Sequence, residues 1–194
     1  MRDYIIMTDS CCDLSQQEVE ELELTVLPLS FTIEGKTLLN TPDHADMSPE
    51  EFFAKIAAGA DCTTAAANVG QFTDAMEKAL QEGKDILCVC FSSALSTTYQ
   101  SACIAAEDLR EKYPEAKILV IDSLSASRGQ GMLLYRAVRE RREKNLTIDE
   151  LDAYVRSIIQ SQCHWFIVDD LNHLKRGGRV SSTAALVGTM LGIK

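Results

Sequence analysis

The sequence has no C-x-x-C pair, although it contains seven cysteines, and that absence removes the usual zinc-site and thioredoxin-like frameworks. Cys11 and Cys12 are adjacent, Cys88 and Cys90 alternate in an apolar run, and Cys62, Cys103 and Cys163 stand alone. No secretory signal peptide is legible, so an odd number of thiols reads as reduced cysteines in a cytoplasmic protein. No apolar run reaches transmembrane length. Positive charge is scarce: 19 Lys and Arg against 29 Asp and Glu give a formal net charge of −10. That balance argues against a nucleic-acid binder, which needs clustered cations for phosphate neutralisation. It also argues against broad adhesion to anionic membranes.

Catalytic signatures are absent as well. The first strand is not followed by G-x-G-x-x-G, and there is no Walker lysine loop. Gly188 to Lys194 has one residue too few between its glycines to serve as one. No G-x-S-x-G elbow occurs, and no general base lies in sequence beside the serines. His44, His164 and His173 are scattered without metal-ligand spacing.

What is present is an alternation of short apolar strands and amphipathic helices, which predicts a three-layer α/β/α sandwich around a mostly parallel sheet. Tyr4 to Met7 is the first strand. Ser15 with Glu18 forms a capping box for a helix that turns Val19 and Leu22 inward. Leu27, Leu29, Phe31 and Ile33 alternate with polar residues as one half-buried strand, placed at a sheet edge by Pro28. Ser48-Pro49-Glu50-Glu51 opens a helix expected to bury Phe52, Phe53 and Ile56. A further helix carries Phe72, Met76, Ala79 and Leu80 and stops at Gly83. Ile86 to Phe91 is a continuous apolar run, as expected of a central strand buried on both faces, with Ile118 to Ile121 as its neighbour. Helices follow over 98–112, 129–143 and 148–161, the last opened by the box Thr147 to Glu150. Trp165 to Val168 reads as another strand, and Ala184 to Ile193 as an apolar, helical stretch. The domain reading is one α/β/α domain over 1–160 and the beginning of a second over 161–194.

In open α/β sheets ligands collect beyond the carboxyl ends of the strands. Three strands here end in polar clusters: Thr8-Asp9-Ser10, Ser92-Ser93 and Asp122-Ser123. The densest segment is Ser92-Ser93-Ala94-Leu95-Ser96-Thr97-Thr98, where a strand enters a hydroxyl-rich turn and then a helix N-terminus. Such a turn offers O–H and N–H donors to an anion. Helix capping by Ser96 or Thr97 accounts for one hydroxyl but not for the set. Thr63-Thr64 precedes a helix starting near Gly70 in a similar way, and there a cap is an equal explanation. Arg176-Gly177-Gly178-Arg179 brings two guanidiniums suited to bidentate binding of carboxylate or phosphate, with glycines that permit close backbone approach. A solvated basic turn after a helix has the same pattern.

Taken in order, these motifs resemble the bacterial DegV family, which includes the fatty-acid-binding subunits of fatty acid kinase. The resemblance runs from Ile6 to Lys194. Its marks are Thr8-Asp9-Ser10 with Asp13-Leu14, Pro28-Leu29, Thr63-Thr64 leading to Gly70-Gln71-Phe72, and Ser92 through Ala102. Asp122-Ser123 with Gly129-Gln130-Gly131 follows, then Val168-Asp169-Asp170-Leu171 through Arg179. It implies a first domain of the kind shared with dihydroxyacetone-kinase-like proteins and a second, lipid-enclosing domain. It also implies a long-chain fatty acid as ligand, with no further cofactor and no stable membrane insertion. Thr64 and Ser93 would hold the carboxylate, with Ser92 and Ser96 close by and Ser10 and Ser123 on the same rim. Arg179 and Arg176 would face the phosphoryl group when a separate kinase, the catalytic subunit, phosphorylates the bound acid. Two positions depart from the family pattern: Thr64-Ala65-Ala66-Ala67-Asn68 stands for Thr-Ser-x-Pro-Ser, and Thr97 stands for a glycine.

Two other readings compete. One is a small-molecule phosphotransferase or hydrolase of the dihydroxyacetone-kinase-like fold, with Asp9 and Asp122 holding Mg²⁺. The other is a truncated, non-binding remnant or interaction module.

Overall fold

Four short apolar segments supply the strands of the main sheet: β1 (Tyr4–Asp9), β2 (Leu24–Leu27), β6 (Asp85–Cys90) and β7 (Ile118–Asp122). In the computed structural model, which describes residues 2–168, 171–181, 184 and 188, they pair in parallel in the order β2-β1-β6-β7. Every residue of β6 is buried. Leu87 and Val89 face one core with Ile6 and Ile121, while Ile86, Cys88 and Cys90 face another with Met7 and Ile118. That two-sided burial is why β6 reads as an unbroken apolar run rather than an alternation.

Helices α1 (Gln16–Glu21), α5 (Ser127–Lys144) and α6 (Ile148–Ile159) cover the first face, through Val19, Leu133, Leu134, Leu151 and Val155. Helices α3 (Val69–Gln81) and α4 (Thr98–Lys112) cover the second, through Phe72, Met76, Ala102, Ala105 and Leu109. The result is the expected α/β/α sandwich. The capping boxes at Ser15–Glu18 and Thr147–Glu150 form as the sequence predicts.

The strand expected across Leu27 to Ile33 is in fact two strands in two sheets. Leu24–Leu27 ends as the outer strand of the main sheet. β3 (Leu29–Ile33) then becomes the middle strand of a second, antiparallel sheet with β4 (Lys36–Asn40) and β5 (Cys62–Ala65), in the order β4-β3-β5. Pro28 has no N–H to continue a ladder, so the chain changes sheets there. Glu34 and Gly35, at φ 50° and 76°, make the two-residue turn between β3 and β4. Both central residues in the left-handed region is the turn geometry that matches hairpin twist.

Helix α2 (Pro49–Ala57), capped by Ser48, does not bury the residues expected of it. Phe53 is 66% exposed, whereas Phe52 and Ile56 are half-buried. Among the described residues one face of α2 is covered: Phe52 meets Phe31 of β3 edge to face at 5.2 Å, which leaves Phe53 on the outside.

The chain divides into two compact units, Met1–Gln162 and Cys163–Lys194. In the second, the strand expected at Trp165–Val168 does not form. Trp165, Phe166 and Ile167 are 96%, 77% and 79% exposed; a strand exists only by pairing, and these residues have no ladder partner among the described residues. Helix α7 (Leu171–Arg176) follows. Asp169 and Asp170, the His173 side chain and most of the stretch Ala184 to Lys194 lie outside the described residues.

No described helix is long and apolar enough to cross a membrane. The seven cysteines are free thiols.

Candidate functional site

Because β1, β6 and β7 run parallel and lie side by side, their carboxyl ends form one rim. Ser10, Ser92, Ser93 and Ser123 therefore share it, as the sequence predicts. The rim is stitched together by bonds between segments far apart in the chain. At the end of β1, Asp9 is fully buried. Its Oδ2 accepts the Phe91 N–H at 2.7 Å and its Oδ1 accepts the Cys11 N–H at 3.1 Å. Gln130 donates to the Thr8 hydroxyl at 2.9 Å and approaches Asp9 Oδ2 at 3.4 Å, while its own buried Oε1 has no partner among the described residues. Burial pushes the Asp9 carboxyl above the usual carboxylate range, against the Phe91 and Cys11 amides, which pull it down.

The loop between β6 and α4 is held from both sides. Phe91 N–H goes to Asp9, Ser92 N–H to Ser125 O at 3.1 Å, and Ser93 N–H to Asp122 Oδ1 at 3.1 Å. Ser96 N–H then bonds to Ser92 O at 3.2 Å, and Ala94 N–H to Ser92 Oγ at 3.3 Å. The main-chain donors of Phe91 to Ser93 are thus spent inside the protein. The N–H groups at the start of α4, which have no partner within the helix, are the main-chain donors that this turn can still offer an anion.

The hydroxyls differ in how committed they are. Ser93 is exposed, and Ser96 is half-buried with Oγ 2.9 Å from Thr98 Oγ1. Ser96 Oγ also accepts the Thr98 N–H at 3.3 Å, so the cap-like contact at α4 comes from Ser96; Thr97 makes none. Thr97 sits at φ −79°, a conformation that needs no glycine. Ser92 is buried. Ser123 is fully buried and its hydroxyl donates to Ser125 O at 3.2 Å. Ser10 Oγ accepts from Leu29 N at 3.0 Å and Asn40 Nδ2 at 3.3 Å.

Thr64 is not at a helix start. It lies on β5, opposite Phe31 of β3, and α3 is capped instead by Asn68 in a box with Gln71. Because β5 is antiparallel to β3, and β3 begins at the residue bonded to Ser10, the carboxyl end of β5 returns toward the rim. Cross-strand partners share a sheet face, so exposed Thr64 lies on the side of Phe31 and Leu38, the side that Phe52 partly covers. A hydroxyl therefore stands beside half-covered apolar side chains. The exposed Leu95 and Leu124 add apolar surface to the loops that follow β6 and β7.

In the second unit Gly178 of the basic turn has a structural task. Arg179 N–H bonds to Leu174 O at 2.9 Å, and Gly178 N–H to Lys175 O at 3.0 Å, with Gly178 at φ 75°. This pair of bonds is the Schellman closure of a helix C-terminus, in which glycine occupies the left-handed position. The turn carries Arg176 and Arg179 at the end of α7.

Among the described residues no group of three or more His, Cys, Asp or Glu side chains could hold a metal ion. Asp9 and Asp122 do not converge on a cation site; each carboxylate accepts two main-chain N–H groups. A surface cavity of about 410 Å³ is lined by β2 residues Thr25 to Leu27 with Pro28, Gln71, Asp74 and Ala75. Another, of about 280 Å³, is lined by Arg2, Asp3, Tyr4, Arg141, Asn145 and Leu146. Neither includes a rim hydroxyl.

The family model described as an uncharacterised protein of the DegV family matches residues 4–194. A DegV domain-containing protein of Clostridium perfringens is 40% identical over 194 residues, covering 100% of this chain and 66% of its own length. The chain thus spans just under two thirds of that relative. Among solved structures, a DegV family protein from Thermus thermophilus, described by its fatty acid binding, superposes with a TM-score of 0.82 at 31% identity. The match covers 98% of this chain and 65% of that one. A stearic acid-binding protein from Eubacterium ventriosum gives a TM-score of 0.78 at 25% identity, over 95% of this chain and 62% of its own.

Proposed function

This chain belongs to the DegV family, and on that premise we propose that it binds a long-chain fatty acid by its carboxylate and presents the acid to a separate kinase. The chain is read as a binding protein that performs no chemistry on the acid. ATP and metal come with the kinase, and the acid is a ligand rather than a cofactor. The proposed carboxylate donors are Thr64 and Ser93, with Ser92 and Ser96 beside them and Ser10 and Ser123 setting the rim. Arg176 and Arg179 are assigned to the phosphoryl group during transfer. The units 1–160 and 161–194 are read as the head-group domain and the start of a lipid-enclosing domain.

The observation that carries the reading is the collection of hydroxyls on one rim of adjacent parallel strands, with apolar side chains next to them. A set of neutral hydroxyl donors suits one carboxylate head, whereas a polyanion calls for amides and cations together. The fatty acids named for the Thermus and Eubacterium structures support the same ligand class.

Organic extraction of the chain purified from cells, followed by mass spectrometry, should release a long-chain acid. Each buried CH₂ contributes roughly 0.8 kcal/mol, enough in sum to keep a ligand through purification. Ser93→Ala should weaken binding by roughly 1.5–3 kcal/mol, the worth of a hydrogen bond to a charged group. Absence of any extracted acid together with no uptake of added stearate would refute the proposal.

A further inference from the structure

Asp122 ends β7, and a single carboxylate oxygen, Oδ1, accepts two main-chain N–H groups, those of Ser93 and Leu124, each at 3.1 Å. The Leu124 bond closes a local turn of the kind Asp side chains favour. The Ser93 bond crosses to the loop of the neighbouring strand. Those two loops also meet through Ser123 N–H to Cys90 O at 3.1 Å and Ser92 N–H to Ser125 O at 3.1 Å, both main chain to main chain. These bonds do not depend on the side chain at 122. Of the three cross-links, the one to Ser93 alone is made by a side chain, and it holds an exposed residue that packing leaves unfixed.

We propose that Asp122 is a positioning residue: its Oδ1 fixes the Ser93 segment so that the Ser93 hydroxyl stays on the rim for an acidic head group. The role rests on the binding reading above. Asp122 acts on such a ligand in two opposed ways. As an acceptor it orders Ser93; as a negative charge it repels a carboxylate nearby. Asparagine separates the two, because its amide oxygen still accepts while the charge is gone.

The test uses the whole chain, with stearate as the titrated ligand and amide hydrogen exchange at Ser93 read in parallel. Asp122→Asn should bind stearate at least as tightly as the unaltered chain, with Ser93 exchange unchanged. Asp122→Ala should bind roughly tenfold more weakly, a coupling typical of residues in contact, and Ser93 exchange should quicken. Ser93→Ala combined with Asp122→Ala should be no weaker than Ser93→Ala alone, since the carboxylate acts through that serine. Equal affinity for Asp122→Ala and the unaltered chain overturns the role. So does tightening in both variants, which assigns Asp122 a charge effect alone, or full additivity in the double variant. Loss of binding in both, with a lowered melting temperature, assigns it to the fold instead. An unaltered chain that takes up no stearate defeats the binding reading, whereas normal uptake with unmoved Ser93 exchange in Asp122→Ala defeats the positioning role alone.

Discussion

The hydroxyl oxygen of Ser10 accepts the main-chain N–H of Leu29 at 3.0 Å, and this bond fastens the first residue of the second sheet to the rim of the first. The Asn40 amide reaches the same oxygen at 3.3 Å, so Ser10 holds the start of β3 and the end of β4 together. Thr64 reaches the neighbourhood of the rim because β5 pairs with β3.

Ser10→Ala removes an acceptor from both donors at once. A fully buried N–H left without a partner costs about 1–3 kcal/mol; these two donors are half-buried, which puts the loss at about 1 kcal/mol, the low end of that range. Denaturant unfolding should show a loss of that size, with faster amide exchange at Leu29 and along β3. If stability falls while exchange at Leu29 is unaffected, the bond is not what ties the sheets.

Asp9 gives the stability a signed pH dependence. Burial raises its folded pKa above the ordinary carboxylate value, so the folded chain holds the Asp9 proton more tightly than the unfolded one. The contribution of Asp9 is therefore most favourable below the unfolded value of about 3.9 and declines as pH rises through the folded value. Asp9→Asn deletes that dependence but offers one oxygen to two N–H donors. The stability difference, unaltered minus Asp9→Asn, should shrink with rising pH above about 4. A difference that stays constant across urea titrations from acid to neutral pH contradicts the assignment.

Gly131 is a close-approach glycine. A Cβ placed there meets Cys12 O at 2.8 Å and Leu14 Cδ2 at 3.0 Å, because α5 packs directly on the turn that follows β1. Backbone cannot yield as a flexible side chain can, so Gly131→Ala should cost about 1–3 kcal/mol by overpacking. A melting temperature equal to that of the unaltered chain would show that α5 shifts freely.

The sandwich was legible because its signals are local: the apolar run of β6, the alternation of faces, and the two Ser or Thr boxes that start α1 and α6. The second sheet was not. β4 is mostly polar, with only Leu38 and Leu39 apolar, and Thr63, Thr64 and Ala65 of β5 are exposed, so neither strand carries the alternation that marks burial. The one cue was Glu34-Gly35, a hairpin turn whose first residue is not a usual turn former. At the site the hydroxyls could be read from strand ends, but their commitments could not. Asp9 to Phe91, Ser10 to Leu29 and Ser93 to Asp122 join distant segments, and only folding shows which donors are already spent. Gly178 in the Arg176 to Arg179 turn adds a role that spacing did not show, since its bonds close the helix whether or not the turn also meets a ligand.

The outer edge of β7 supplies the last expectation. Among the described residues β7 pairs with β6 alone, so alternate carbonyls face outward. Ile118 O is taken by Arg110 of α4, with Nε at 3.2 Å, and Val120 O by Arg156 of α6 at 3.0 Å. The two guanidiniums arrive from opposite faces of the sheet and occupy acceptors that a foreign strand would use. Unprotected edges pair with other chains, and arginine blocks the position without closing it to water. Replacing Arg110 and Arg156 together with alanine should leave the sheet intact by circular dichroism but raise concentration-dependent association in light scattering. Lysine at both positions should restore much of the monodispersity, since one ammonium can still donate to one carbonyl. If the double alanine variant stays as monodisperse as the unaltered chain at every concentration, the arginines serve packing rather than edge protection.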